Sequence, residues 1–107
     1  MGDLSKMMQA AREMQDKVEN LQKSLDAITV TGEAGAGLVR ATATAKGDLT
    51  ALDIDPSIFV ASEKQVVEDL ILAAIKDAQR RAADRAKQET ERLAGGMGLP
   101  PGMKLPF

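Results

Sequence analysis

Arg81, Arg85 and Arg92, with Gln88 among them, fall on one line of a helical wheel drawn at about 100° per residue, and no acid shares that line. A guanidinium presents a planar fork of donors that matches phosphate oxygens, so a row of three suits contact with a nucleic-acid backbone. The same row also serves as an ordinary solvated helix face, where most arginines stand. The neighbouring line of Arg80, Asp84, Lys87 and Glu91 alternates in sign at spacings of three and four, and so neutralises itself. Between Gln79 and Arg92 five basic residues meet three acids, a local excess of +2 in a chain of net charge −2. Lys17 and Lys23, with Lys6 and Arg12, are weaker additions to such a surface because five acids accompany them near the N-terminus.

The remaining chemistry is sparse. There is no His and no Cys, which removes the usual ligands of zinc, the thiolate nucleophile and the commonest general base. Asp53 and Asp55 share one strand face in the manner of paired carboxylates, but without a third ligand they read as a solvated face beside a turn. The segment GEAGAG from Gly32 to Gly37 has its glycines in the order GxxGxG and is followed by a strand, whereas a phosphate loop requires a helix N-terminus. It reads as a hairpin loop that uses glycine for positive φ. Arg40, Thr42, Thr44 and Lys46 form a second polar patch, which a solvent-facing sheet explains. No enzyme, cofactor or small-molecule substrate is expected.

The elements that would position the arginine row follow from periodicity. Leu4, Met7, Ala11, Met14, Val18, Leu21, Leu25 and Ile28 step by three and four, a heptad seam on a helix over residues 3–28, roughly 38 Å long. Such a seam requires a partner, so Leu4, Met7, Met14, Val18, Leu21 and Leu25 are expected to pack against another helix, within the chain or in a second copy. Period two then takes over for strands across residues 28–55, with GEAGAG as the first connection and Gly47-Asp48 as a two-residue turn, and Pro56 ends the third strand. Ser62 and Gln65 form a capping box for a second helix over residues 62–94. Its first half, Val66 to Ala78, is apolar over a broad face and should pack on the sheet. Its second half, Gln79 to Arg92, is mostly polar or Ala and should project beyond the core.

This is an α+β chain of order α-β-β-β-α: a three-stranded antiparallel sheet between two long terminal helices, one domain over residues 1–94 with a Gly/Pro-rich tail, irregular or disordered, over 95–107. The aromatic content of 2% leaves packing to Leu, Ile, Val, Met and Ala, and the small core between long helices favours a dimer. No apolar run is long enough to span a bilayer, and the charged N-terminus is unlike a signal peptide, so the expected place is the cytoplasm.

VTGEAGAGLV at Val30 to Val39, IDPS at Ile54 to Ser57, VEDLILAAIKDA at Val67 to Ala78 and the terminal LPPGMKLPF together resemble the YbaB/EbfC family of bacterial nucleoid-associated proteins, essentially end to end. The resemblance implies a tweezers-shaped homodimer of α-β-β-β-α protomers that binds DNA through its projecting helices, with a role in nucleoid organisation, gene expression or DNA protection. On this expectation Arg81, Arg85 and Arg92, helped by Lys17 and Lys23, contact phosphates. The rival expectation is a helical protein-interaction module, in which the seam or the apolar tail grips another protein and the arginines only solvate a helix.

Overall fold

The computed structural model describes residues 2–96. Helix α1 spans Gly2–Ala27, followed by strands β1 (Thr29–Ala34), β2 (Val39–Thr44) and β3 (Leu49–Ile54), two 3-10 turns at Pro56–Ile58 and Ala61–Glu63, and helix α2 over Lys64–Gly96. This is the expected α-β-β-β-α order. The strands form an antiparallel meander with β2 in the centre.

Three local details differ from the sequence expectation. Strand β1 runs on through Gly32, Glu33 and Ala34, so the connection to β2 shortens to residues 35–38, where Gly35, Ala36 and Gly37 take positive φ. The second turn is longer than two residues: Gly47 N–H donates to the Thr44 carbonyl and Thr44 N–H to that of Asp48. Ala45 N–H is drawn out of the ladder to the carbonyls of Leu25 and Ile28, where it satisfies a last-turn carbonyl of α1 that would otherwise lack a partner. Helix α2 continues through Gly95 to Gly96 instead of breaking there, its last turn anchored by the buried Ala94. The tail expected to be irregular, residues 97–107, lies outside the described residues.

Helix α2 crosses β1 and β2, and the crossing is very close. Val39, Ala41 and Ala43 of β2 meet Ala74, Ala78 and Ala82 of α2 in a core of small side chains. At Gly32 a side chain would have no room: a Cβ there would lie 2.1 Å from the Ala78 amide nitrogen and 2.7 Å from the Ala74 carbonyl oxygen. Gly32 is therefore required for contact and not for a turn. Helix α2 leaves β3 largely uncovered. Leu52 and Leu49 oppose Ala41 and Ala43 and so share their side of the sheet, yet both remain exposed.

The heptad seam divides into two parts. Leu21 and Leu25 are buried with Ala45 against Ile28, Ala86 and Leu93, so the C-terminal half of α1 pairs antiparallel with the outer half of α2. Met14 and Val18 are half-buried. Leu4 and Met7, 67% and 69% exposed, meet no partner among the described residues of the protomer. Only the outer half of α2 meets α1, because its first half lies on the sheet. The two helices extend together away from the sheet, giving a molecule of 74 × 22 × 16 Å.

Candidate nucleic-acid interface

The arginine row begins at the sheet margin, where Ala82 still packs on β2, and runs outward along the part of α2 that projects beyond the sheet. Arg81, Arg85 and Arg92 are all exposed, and the row rises over about 17 Å of helix. Its electrostatics differ from the expectation of an uncompensated line. Arg81 Nε donates to Asp77 Oδ2 at 3.1 Å, and Arg80 pairs with the other oxygen of the same carboxylate. Arg85 Nε donates to Glu89 Oε1 at 3.2 Å, and Arg92 Nη1 lies 3.4 Å from Glu89 Oε2. Two acids thus serve four arginines. The correction has a geometric cause: Asp77 and Glu89 stand three or four residues from their partners on adjoining lines, within reach of a long side chain. The second line does not neutralise itself as expected, since Arg80 turns to Asp77 and not to Asp84.

Asp77 has a second task. Its Oδ2 accepts the outward N–H of Glu33 on edge strand β1 at 3.0 Å, tying α2 to the sheet margin. That backbone hydrogen bond is the largest influence holding the Asp77 carboxyl below its ordinary pKa, followed by the hydrogen bond and charge of Arg81 and by the contact with Arg80. Glu89 sits where the arginine row meets the stripe facing α1, and it is only 9% exposed.

Across from Glu89 and Arg92, α1 supplies the other wall of a cleft. Lys17, Asn20, Leu21 and Ser24 line it from α1, and Glu89, Arg92 and Leu93 from α2. Lys17 is therefore brought to the Arg92 end of the row. Lys23 is not: two residues beyond the buried Leu21, it is rotated roughly 200° from the packed face. Of the expected phosphate contacts, Arg81, Arg85, Arg92 and Lys17 lie on the paired arms, and Lys23 faces away from the cleft.

The other sequence features have structural roles. Asp55 caps the first 3-10 turn, its Oδ1 accepting from Ser57 N–H at 2.9 Å, and hydrogen bonds from the side chain and then the backbone of Ser57 lower its pKa. Asp53 lies opposite Arg40 in the β2–β3 register, and Arg40 pairs with Glu33. Lys46 pairs with Asp26 at 3.0 Å, clamping the second turn to α1. Among the described residues no group of acidic side chains is placed to hold a metal ion. Sequence reasoning missed Asp77, Glu89 and the contact role of Gly32. The i±3 and i±4 spacings of the two acids were the available signal, whereas nothing local marked Gly32.

Residues 1–97 match the model of the YbaB/EbfC DNA-binding family. A nucleoid-associated protein of Agrobacterium fabrum is 44% identical, and others from Gluconacetobacter diazotrophicus and Methylocella silvestris are each 41% identical, all aligned over the full length of both chains. In fold, the chain is similar to the crystal structure of an uncharacterized protein from Helicobacter pylori, with a TM-score of 0.70 at 22% identity over 87% of this chain and 94% of that one. The projecting paired helices, the arginine-bearing arm and the full-length match lead to one assignment: the chain belongs to the YbaB/EbfC DNA-binding family.

Proposed function

We propose that the chain is a nucleoid-associated protein that binds duplex DNA as a homodimer, with Arg81, Arg85, Arg92 and Lys17 contacting backbone phosphates. The observation that carries the site assignment is the course of the arginine row along α2, from the sheet margin at Arg81 out to Arg92, where Lys17 of α1 lines the same cleft. Family membership and the nucleoid-associated relatives support DNA as the ligand. The contacts are charge to phosphate, and the arm carries no aromatic wedge. Binding should therefore follow backbone shape with weak sequence preference, and weaken steeply with salt. Gel shifts with Arg81, Arg85 and Arg92 changed together to Glu test the site. Loss of binding at low salt is expected, and unchanged binding removes the assignment.

The homodimer rests on the uncovered side of β3. Leu49 and Leu52 are exposed on edge strand β3, and Phe59 and Val60 are exposed in the turns that follow it, apolar surface that a second copy would bury. Changing Leu52 to Asp should shift the sedimentation of the pure protein toward the monomer. A wild-type protein that is monomeric at micromolar concentration contradicts the dimer.

A second reading is favoured by one observation, the exposed Leu4, Met7 and Met8 on α1, which would suit a helical protein-interaction module. Sedimentation with and without duplex DNA separates the two readings, because an interaction module leaves the DNA free even at low salt.

A further inference from the structure

Among the described residues Glu89 is the one charged side chain in the buried class, and it is held between two arginines of the proposed DNA contact. It stands beside a cleft whose α1 wall offers donors: the Lys17 ammonium, the Asn20 amide and the Ser24 hydroxyl. With Arg85 and Arg92 included, three cations meet a single carboxylate around this cleft. Asn20, Ser24, Lys17 and Arg92 together present the donors a phosphodiester would accept. The Glu89 carboxylate is an acceptor already occupying the arginine forks that such a phosphate would use.

We propose that this cleft seats a DNA backbone phosphate and that Glu89 sets the strength of that contact by withholding charge from Arg85 and Arg92 while keeping them in place. The proposal rests on the DNA-binding reading above. Two effects of Glu89 oppose each other. As an acceptor it holds two flexible side chains beside the cleft, which favours binding. As an anion it offsets one positive charge and repels the phosphate, which disfavours it. Glutamine removes the charge while keeping one acceptor, its carbonyl oxygen, for one of the two guanidiniums.

The charge effect should dominate in that substitution. One additional counterion released per protomer corresponds to roughly 8-fold in affinity at 0.1 M salt. Glu89→Gln should therefore bind duplex DNA about 8-fold more tightly than wild type where one protomer gains the contact and up to about 60-fold where both do, with a log–log salt slope steeper by about one to two. Glu91→Gln makes the same change in net charge on an exposed residue outside the cleft, and should alter affinity by less than about 2-fold.

The experiment measures fluorescence anisotropy of labelled duplex against wild type, Glu89→Gln and Glu91→Gln from 50 to 200 mM salt, conditions over which phosphate contacts differ by orders of magnitude. Tighter binding and a steeper slope confined to Glu89→Gln support the proposal. Equal affinity for wild type and Glu89→Gln, or an equal gain in Glu91→Gln, overturns it while leaving DNA binding intact. A wild type that fails to bind at the lowest salt overturns both readings. If circular dichroism shows Glu89→Gln to be unfolded, Asp77→Asn decides in its place: it discharges the clasp on Arg80 and Arg81 while keeping an oxygen for the Glu33 N–H. Tighter binding with a steeper slope supports the charge-withholding role, and unchanged binding overturns it.

Discussion

Replacing Gly32 with Ala adds one methyl group at the closest approach in the molecule, and the sign of its effect is diagnostic. Strand β1 holds Gly32 outside the positive-φ region, so an ordinary Gly-to-Ala exchange there should stabilise by about 0.4–1 kcal/mol through the unfolded chain. The fold predicts the opposite. The new Cβ would lie 2.1 Å from the Ala78 nitrogen and 2.6 Å from its Cα, both backbone atoms that no rotamer change moves away. Ordinary contact begins near 3.5 Å, so helix and strand must separate by about 1.4 Å. That separation also loosens the contacts of Val39, Ala41, Ala43 and Ala74, all fully buried. Overpacking of this kind costs about 1–3 kcal/mol and occasionally more, and a clash of backbone on backbone belongs at the upper end. At about 3 kcal/mol, Tm falls by roughly 12–24 °C for a domain of this size. Thermal melting by circular dichroism at one fixed protomer concentration measures it, with Gly47→Ala as the comparison. Gly47 has open space around it but φ near +96°, so its substitution should cost only about 1–2 kcal/mol. A Gly32→Ala protein that melts at or above the wild-type temperature refutes the close-crossing account.

Other perturbations probe the arms and the acid clasp. Leu25→Ala, which empties a buried site shared with Leu21 and Ala45, should cost about 2–4 kcal/mol in urea unfolding, whereas Leu4→Ala should stay within about 0.5 kcal/mol. Equal costs would mean that the distal half of the seam is packed in solution. Because the folded-state pKa of Asp77 lies below the ordinary carboxyl value, its stabilising contribution is complete above that ordinary value and is lost as pH falls through the folded-state pKa. Wild-type Tm should therefore drop as pH descends below about 4, and Asp77→Asn should flatten part of that fall. Identical acid-melting profiles for the two proteins would contradict the contact with Glu33 and Arg81.

Element types and order were legible in the sequence because each had a distinct period: three-and-four along α1, two through Val39, Ala41 and Ala43, and a broad apolar face from Val66 to Ala78 in α2. What escaped were contacts between elements. Gly32 reads as loop when seen beside Gly35 and Gly37, and only the arrival of Ala74 and Ala78 from a distant helix distinguishes it. The arginine row was found, but its charge was misjudged. A wheel assigns each residue one angle, whereas the side chains of Arg81, Arg85 and Arg92 span from their own line to Asp77 or Glu89 on the next. The regular spacing of the seam gave no sign that Leu21 and Leu25 would be buried against α2 while Leu4 and Met7 stay exposed.

The most direct test of the central claim is the affinity of the wild-type protein for duplex DNA as a function of salt. Four cations on each of two protomers allow up to eight phosphate contacts, and hence a log–log slope of up to about −7, reduced where Asp77 and Glu89 retain their arginines. A slope between about −3 and −7, abolished together with binding when Arg81, Arg85 and Arg92 become Glu, is the predicted result. Binding that is indifferent to salt, or no binding at the lowest salt, would contradict it.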